Sequence, residues 1–162
     1  MIIKNARRTA VALALVAFAA VSAQAQTATQ TVTFAVNAIN QISFAGAPSL
    51  TITTAIAGSA PTSVTDASAT WAVTTNQTGA KISATMPAMP AGLTLSASLA
   101  APAGATSAGY QSLGAVSVDL VTAITKLAQN AMVVTYKLDA TAAAGVVAST
   151  TRLVTYTISG GT

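Results

Sequence analysis

The chain has 162 residues, with seven Lys or Arg against three Asp or Glu, a formal net charge of +4, and neither histidine nor cysteine. General acid–base catalysis, nucleophilic catalysis and metal ligation draw mainly on histidine, cysteine and clustered carboxylates, so this composition argues against an enzyme and predicts no cofactor and no metal site. Without cysteine there is no disulfide framework, and a hydrophobic core must carry the stability of the fold.

The first predicted element is a secretory signal peptide over residues 1–25. A cationic start is followed by an apolar run over residues 10–20 and by Ala23-Gln24-Ala25, which has the small-x-small pattern of a cleavage site. The apolar run is too short to cross the roughly 30 Å hydrocarbon core of a bilayer. We therefore expect export from a bacterial cell, with the protein extracellular or at the cell surface, or alternatively in the periplasm.

Cleavage after Ala25 would leave a domain over residues 26–162 and remove three of the seven basic residues, which lowers the net charge to +1. Four scattered cations do not form the basic patch that nucleic acid or an anionic membrane requires. We therefore expect no nucleic-acid partner. Because no second long apolar segment follows the predicted signal peptide, we also expect no integral membrane anchor.

Apolar and polar residues alternate through most of the predicted domain, which is the period of a half-buried β-strand. The alternating runs are rich in threonine and valine, and glycine- and proline-rich breakers separate them. The pattern predicts an all-β domain, a single Ig-like antiparallel β-sandwich of about 8–9 short strands. The main runs cover residues 32–44, 50–52, 71–73, 82–84, 93–99, 116–120, 132–138 and 154–158.

The longest alternating run comes first, and its large apolar residues are Val32, Phe34, Val36, Ile42 and Phe44. One interpretation, which the sequence favours, makes the run the first one or two strands of its own domain. The other makes it a donor strand, part of which completes the sheet of a neighbouring molecule through backbone hydrogen bonds and alternate side chains. These five residues are the candidate assembly site.

Two aromatic residues are candidates for stacking on a sugar or another ligand. Trp71 is the only tryptophan, and Tyr110 lies in a glycine-containing breaker. A single tryptophan within a strand pattern more often fills the core of a sandwich, so the core is the favoured place for Trp71.

One segment departs from strand alternation. Leu120, Val121, Ile124 and Leu127 recur at helical spacing, and Asp119 precedes them as a candidate N-cap. The spacing predicts a short helical crossover near residues 119–127.

The two ends of the domain, Thr31-Val-Thr-Phe-Ala-Val-Asn37 and Arg152-Leu-Val-Thr-Tyr-Thr-Ile158, resemble small secreted bacterial β-sandwich proteins of the surface-filament and spore-coat-U type. The resemblance implies an Ig-like fold and polymerisation by strand donation. The chain departs from many of these proteins in having no cysteine pair.

Together these features predict an exported, non-catalytic structural protein, a self-assembling filament or layer subunit that forms homo-oligomers or a cell-surface assembly. Two alternatives remain open at this point. A carbohydrate- or ligand-binding adhesive module would expose Trp71 and Tyr110, and a small outer-membrane β-barrel would carry aromatic girdles.

Overall fold

A computed structural model describes residues 24–162 of the chain. Residues 1–23 of the predicted signal peptide lie outside the described residues. The chain divides after Ala35 into an N-terminal unit and a second unit, Val36–Thr162. Residues 24–35 form no helix or strand and are exposed throughout. Between residues 24 and 162, no helix has the length and apolar character needed to cross a membrane.

The second unit is an open antiparallel sheet of seven strands, so the expectation of an all-β fold is confirmed. The strands are β1 (Asn40–Ala45), β2 (Val64–Thr85), β3 (Leu93–Leu99), β4 (Thr106–Ser107), β5 (Gln111–Ser112), β6 (Val118–Ala140) and β7 (Thr155–Ser159). One 3₁₀ turn, Ala142–Ala144, follows β6.

The two long strands, β2 and β6, pair with each other and form the centre of the sheet. Two short strands share the other edge of β2: β1 pairs with Thr70–Thr75 and β7 with Lys81–Thr85. On the far side of β6, β3 pairs with Val134–Ala140 and β4 with Val121–Thr122, while β5 extends β3. Each long strand therefore pairs with different short strands along its two halves.

Both ends of the long strands contribute to one hydrophobic core. The β1-bearing end supplies Trp71, Val73, Met132 and Val134, and the β7-bearing end supplies Ile82, Ala84, Leu120 and Ile124. The β2–β6 register shifts repeatedly between Asp66 and Ser83. Such β-bulges bend a strand and increase its twist. The bent sheet can therefore bury side chains from both of its ends in the same core.

The helical crossover predicted near residues 119–127 is wrong, because this segment is the first part of β6. Ala123 and Lys126 have positive φ angles of 61° and 42° and interrupt the regular alternation. Leu120 and Val121 are consequently buried side by side, and Ile124 is the next buried residue. Bulges in a strand thus reproduced the spacing of a helix. Asp119 caps no helix and instead pairs with the Lys81 ammonium group at 2.9 Å.

The strand count also needs correction, since seven strands form where eight or nine were expected. The runs around Trp71 and Ile82 belong to one strand, β2, and the breaker that separates them, residues 76–79, lies within this strand. The runs at 116–120 and 132–138 similarly contribute to β6. Gly79 and its neighbours mark a register shift between Thr75 and Ala80, which is a bend in the strand and not its end. The run at residues 50–52 forms no strand.

Candidate functional site

The predicted N-terminal donor run falls into two structurally different parts. Ile42 and Phe44 lie in β1, where they are half-buried and pack against the core. Val32, Phe34 and Val36 precede β1 and are 71%, 87% and 79% exposed. Within residues 24–162, the segment 31–36 belongs to no strand ladder. Residues 40–45 of the run are therefore a strand of the chain's own sheet, whereas residues 32–36 pair with no strand of the described chain.

The entry to β1 is held in place by the side chain of Asn76, which lies midway along β2. Its carboxamide oxygen accepts a hydrogen bond from the Ile39 N–H at 2.8 Å, and its Nδ2 donates to the Asn37 carbonyl at 2.8 Å. The backbone N–H of Asn76 donates to the Ile39 carbonyl at 3.2 Å. Next to it, the Thr75 hydroxyl donates to Asn40 Oδ1 at 2.6 Å. These bonds fix residues 37–40 along the edge of β2.

An apolar groove with a volume of about 620 Å³ lies beside the second half of β1. This volume is within the range of about 300–1,000 Å³ that is usual for ligand pockets. Aliphatic and aromatic side chains from β1, β3, β6, β7 and three loops line most of it. The lining residues are Ile42, Ser43, Phe44, Pro48, Leu50, Met89, Leu95, Tyr136, Leu138, Thr150, Thr151, Arg152, Val154 and Tyr156.

Two unpaired strand edges belong to strands that line the groove. Within the described part of the chain, β1 and β7 each pair only with β2, so the other edge of each strand has no ladder partner. Such an edge presents free N–H and C=O groups to any extended segment that approaches it. The ring of Phe44 on β1 stacks on that of Tyr156 on β7, with centroids 3.8 Å apart. The site thus combines apolar side chains with backbone hydrogen-bonding capacity.

Two tyrosine hydroxyl groups meet at the groove wall. The oxygens of Tyr136 and Tyr156 are 2.6 Å apart, which is a hydrogen-bonding distance. Burial raises the pKa of both side chains, and the hydrogen bond between the two hydroxyl groups raises that of Tyr156 further. Both rings therefore stay neutral at physiological pH. The exposed Arg152 is the one charged residue in the lining, and its Nε donates to the Ala88 carbonyl at 3.4 Å.

The two candidate stacking residues are not brought together. Trp71 is only 1% exposed and lies in the core, directly opposite Phe44 in the β1–β2 register. A ligand cannot reach the face of its ring. Tyr110 is 48% exposed in the loop between β4 and β5, and neither residue lines the groove.

All three aspartates of the chain form hydrogen bonds or ion pairs with other side chains or backbone groups. Asp66 accepts hydrogen bonds from the Ser49 and Ser68 N–H groups. The Ser68 hydroxyl, followed by these backbone bonds, lowers the pKa of Asp66. Asp119 pairs with Lys81 at 2.9 Å, and Asp139 pairs with Lys137 at 3.0 Å. A hydrogen bond from the Ser63 hydroxyl is the main cause that lowers the pKa of Asp139. Across residues 24–162, no group of three His, Cys, Asp or Glu side chains could hold a metal ion.

Several residues of this site were not singled out from the sequence. Leu50 lies in a run that the alternation predicts as a strand, and Asn76 lies in a breaker between two such runs. Tyr156 was recognised only as a member of the last alternating run. The alternation shows that Tyr156 faces inward, but the pairing of β1 and β7 with the same edge of β2 is a long-range feature.

Comparison with known proteins yields no relative: no protein-family model, no curated protein and no solved structure matches the chain.

Proposed function

We propose that this chain is an exported, non-catalytic structural protein of the cell surface or extracellular space, which assembles with copies of itself through residues 32–36. The observation that carries the proposal is the exposure of Val32, Phe34 and Val36, three large apolar side chains at alternate positions. Burying each of them would contribute about 1.5–3 kcal/mol. An extended segment of this kind adds to a free sheet edge through main-chain hydrogen bonds, and its alternate side chains fill pockets.

The bent sheet supports a finer description of the fold. We propose that the β1-bearing and β7-bearing ends of the sheet are the two layers of an Ig-like sandwich. The shared core and the stacking of Phe44 on Tyr156 support this arrangement, because both require the two ends to face each other. A sandwich presents strand edges at its sides, where a further strand can be added.

The charge distribution supports self-association. The expected mature chain has a net charge of +1, so copies repel each other only weakly. Its aspartates are engaged in turns and ion pairs, and its many hydroxyl groups have no histidine to activate them. The alternative of a carbohydrate-binding module is less well supported, because Trp71 is buried and Tyr110 alone remains accessible.

Light scattering of the mature chain (26–162) over a range of concentrations tests the proposal. We expect a concentration-dependent series of oligomers. A variant with Val32→Ser, Phe34→Ser and Val36→Ser should remain monomeric, because the apolar face of the segment is lost. The matched control carries Thr31→Ser, Thr33→Ser and Ala35→Ser on the opposite face and should assemble normally. A wild-type chain that is monomeric at the highest concentration contradicts the proposal.

A further inference from the structure

We infer that the apolar groove beside β1 and β7 is the acceptor for residues 32–36 of a second copy of this chain. The inference rests on the proposed function, and it adds the receiving surface and the direction of assembly. The groove and the segment are separate features of the same molecule. Each lacks a partner within the described residues 24–162.

The groove and the segment match in chemistry. Residues 24–39 carry no charged side chain, and the groove lining holds one charged residue, the exposed Arg152. An extended segment directs Val32, Phe34 and Val36 to one side and Thr31, Thr33 and Ala35 to the other. The first side would enter the groove, and the second would face solvent. The free edges of β1 and β7 would supply main-chain hydrogen-bond partners.

The hydrogen bonds of Asn76 indicate that the occupant comes from another molecule. The groove is lined by Ile42 and Phe44, in the second half of β1, whereas the chain enters β1 at Asn40. To fill the groove of its own molecule, the segment would have to reverse direction within residues 37–40. Those residues are held along β2 by hydrogen bonds to Asn76 and Thr75. Reversal would break these bonds, so insertion between copies is favoured.

Donor and acceptor are different surfaces, so the contact between copies is heterologous. Such a contact produces an open chain of subunits unless its rotation closes a ring. Each copy then donates one segment and receives one. This geometry makes a complementation experiment possible, because donor and acceptor can be disabled separately.

In the donor variant, Phe34→Glu places a charge on the inserted face of the segment. In the acceptor variant, Leu50→Glu places a charge in the groove lining, from a loop position outside every strand ladder. Thr151→Arg is a second acceptor variant at an exposed lining position, where the fold is least at risk. Ile56→Glu is the matched control, since Ile56 lies in the same loop as Leu50, is exposed and does not line the groove.

Native mass spectrometry of the mature variants, alone and in mixtures, measures their oligomeric states. The donor variant and each acceptor variant should be monomeric alone, and the Ile56→Glu control should assemble like wild type. An equimolar mixture of donor and acceptor variants should form 1:1 heterodimers, because one intact segment and one intact groove remain. The double variant Phe34→Glu/Leu50→Glu should pair with neither. Unchanged fluorescence of Trp71 confirms that each variant is folded.

The experiment distinguishes a failure of the proposed groove from a failure of the proposed function. If Phe34→Glu abolishes assembly while Leu50→Glu and Thr151→Arg leave it intact, the segment is a donor but this groove is not its acceptor. If the wild-type chain is monomeric, the proposed function itself fails. A small apolar molecule that co-purifies in the groove of a monomeric chain would overturn the inference in favour of ligand binding.

Discussion

The ring of Phe44 lies parallel to that of Tyr156, with 3.8 Å between centroids and 13° between planes, although their strands pair with opposite ends of β2. Phe44 is also directly opposite Trp71 in the ladder, with 6.1 Å between ring centroids. The aromatic contact therefore connects the core under β1 to the start of β7. It also forms part of the groove wall, so the packing of the sheet and the candidate assembly site share the same side chains.

The first prediction concerns the coupling between these two rings. Phe44→Leu and Tyr156→Leu should each lower the free energy of unfolding. The double variant should lose about 0.5–1.5 kcal/mol less than the sum of the two single losses, which is the usual interaction energy of an aromatic pair. Urea denaturation in the monomeric Phe34→Glu background measures this without a contribution from assembly. The cycle of Phe44→Leu with Tyr110→Leu is the control and should be additive within about 0.5 kcal/mol.

The second prediction concerns alkaline pH. Burial and the Tyr136 hydrogen bond raise the pKa of Tyr156 above its ordinary value of 10.0. Above pH 10 the unfolded chain loses this proton while the folded chain keeps it, so the unfolded state binds fewer protons and stability falls as pH rises. The slope should approach at most about 1.4 kcal/mol per pH unit for this group.

Thermal unfolding followed by circular dichroism from pH 8 to pH 11.5 measures the effect. Tyr156→Phe should make the alkaline decline shallower, because one protected hydroxyl is removed. It should not abolish the decline, since burial also raises the pKa of Tyr136. Equal slopes for wild type and variant would contradict the raised pKa of Tyr156 as a cause of the decline.

The third prediction uses Trp71, which is the only tryptophan of the chain and the source of its tryptophan fluorescence. Its side chain is 1% exposed, and its indole N–H has no hydrogen-bond partner among the described residues. We expect blue-shifted emission and weak quenching by acrylamide, with exposure of the indole only on unfolding. Trp71→Ala should cost about 3–5 kcal/mol. Trp71→Phe should cost clearly less, because a ring is retained and the unpaired N–H is removed. Quenching as strong as that of a free indole would contradict the burial.

Much of the fold follows from local pattern. The alternation identified the all-β class and the inward-facing residues of the two long strands, and it favoured the core for Trp71. The number and length of strands did not follow, because Asn76 and Gly79 are typical turn residues and here they accompany a bend within β2. The groove could not be predicted either. Its lining comes from four strands and three loops, and only the long-range pairing brings Phe44, Leu95 and Tyr156 together.

The predicted helix over 119–127 failed for a related reason. Helical spacing and a bulged strand both place apolar residues three positions apart, and the sequence does not distinguish them. The left-handed backbone at Ala123, Lys126 and Ala131 is the structural difference, with φ angles of 61°, 42° and 54°. None of these residues is glycine, which is the usual signal for such a conformation.

The last prediction follows from that backbone. A left-handed conformation costs an L-residue about 1–2 kcal/mol, and glycine avoids this cost at an entropic penalty of about 0.4–1 kcal/mol. Ala123→Gly and Ala131→Gly, both at exposed positions, should therefore leave the free energy of unfolding unchanged or raise it by up to about 1 kcal/mol. Ala128→Gly is the matched control, because Ala128 is exposed in the same strand and has no positive φ angle. It should lower stability by about 0.5–1 kcal/mol. Urea denaturation of the three variants compares them directly, and equal losses at all three positions would contradict the left-handed backbone at Ala123 and Ala131.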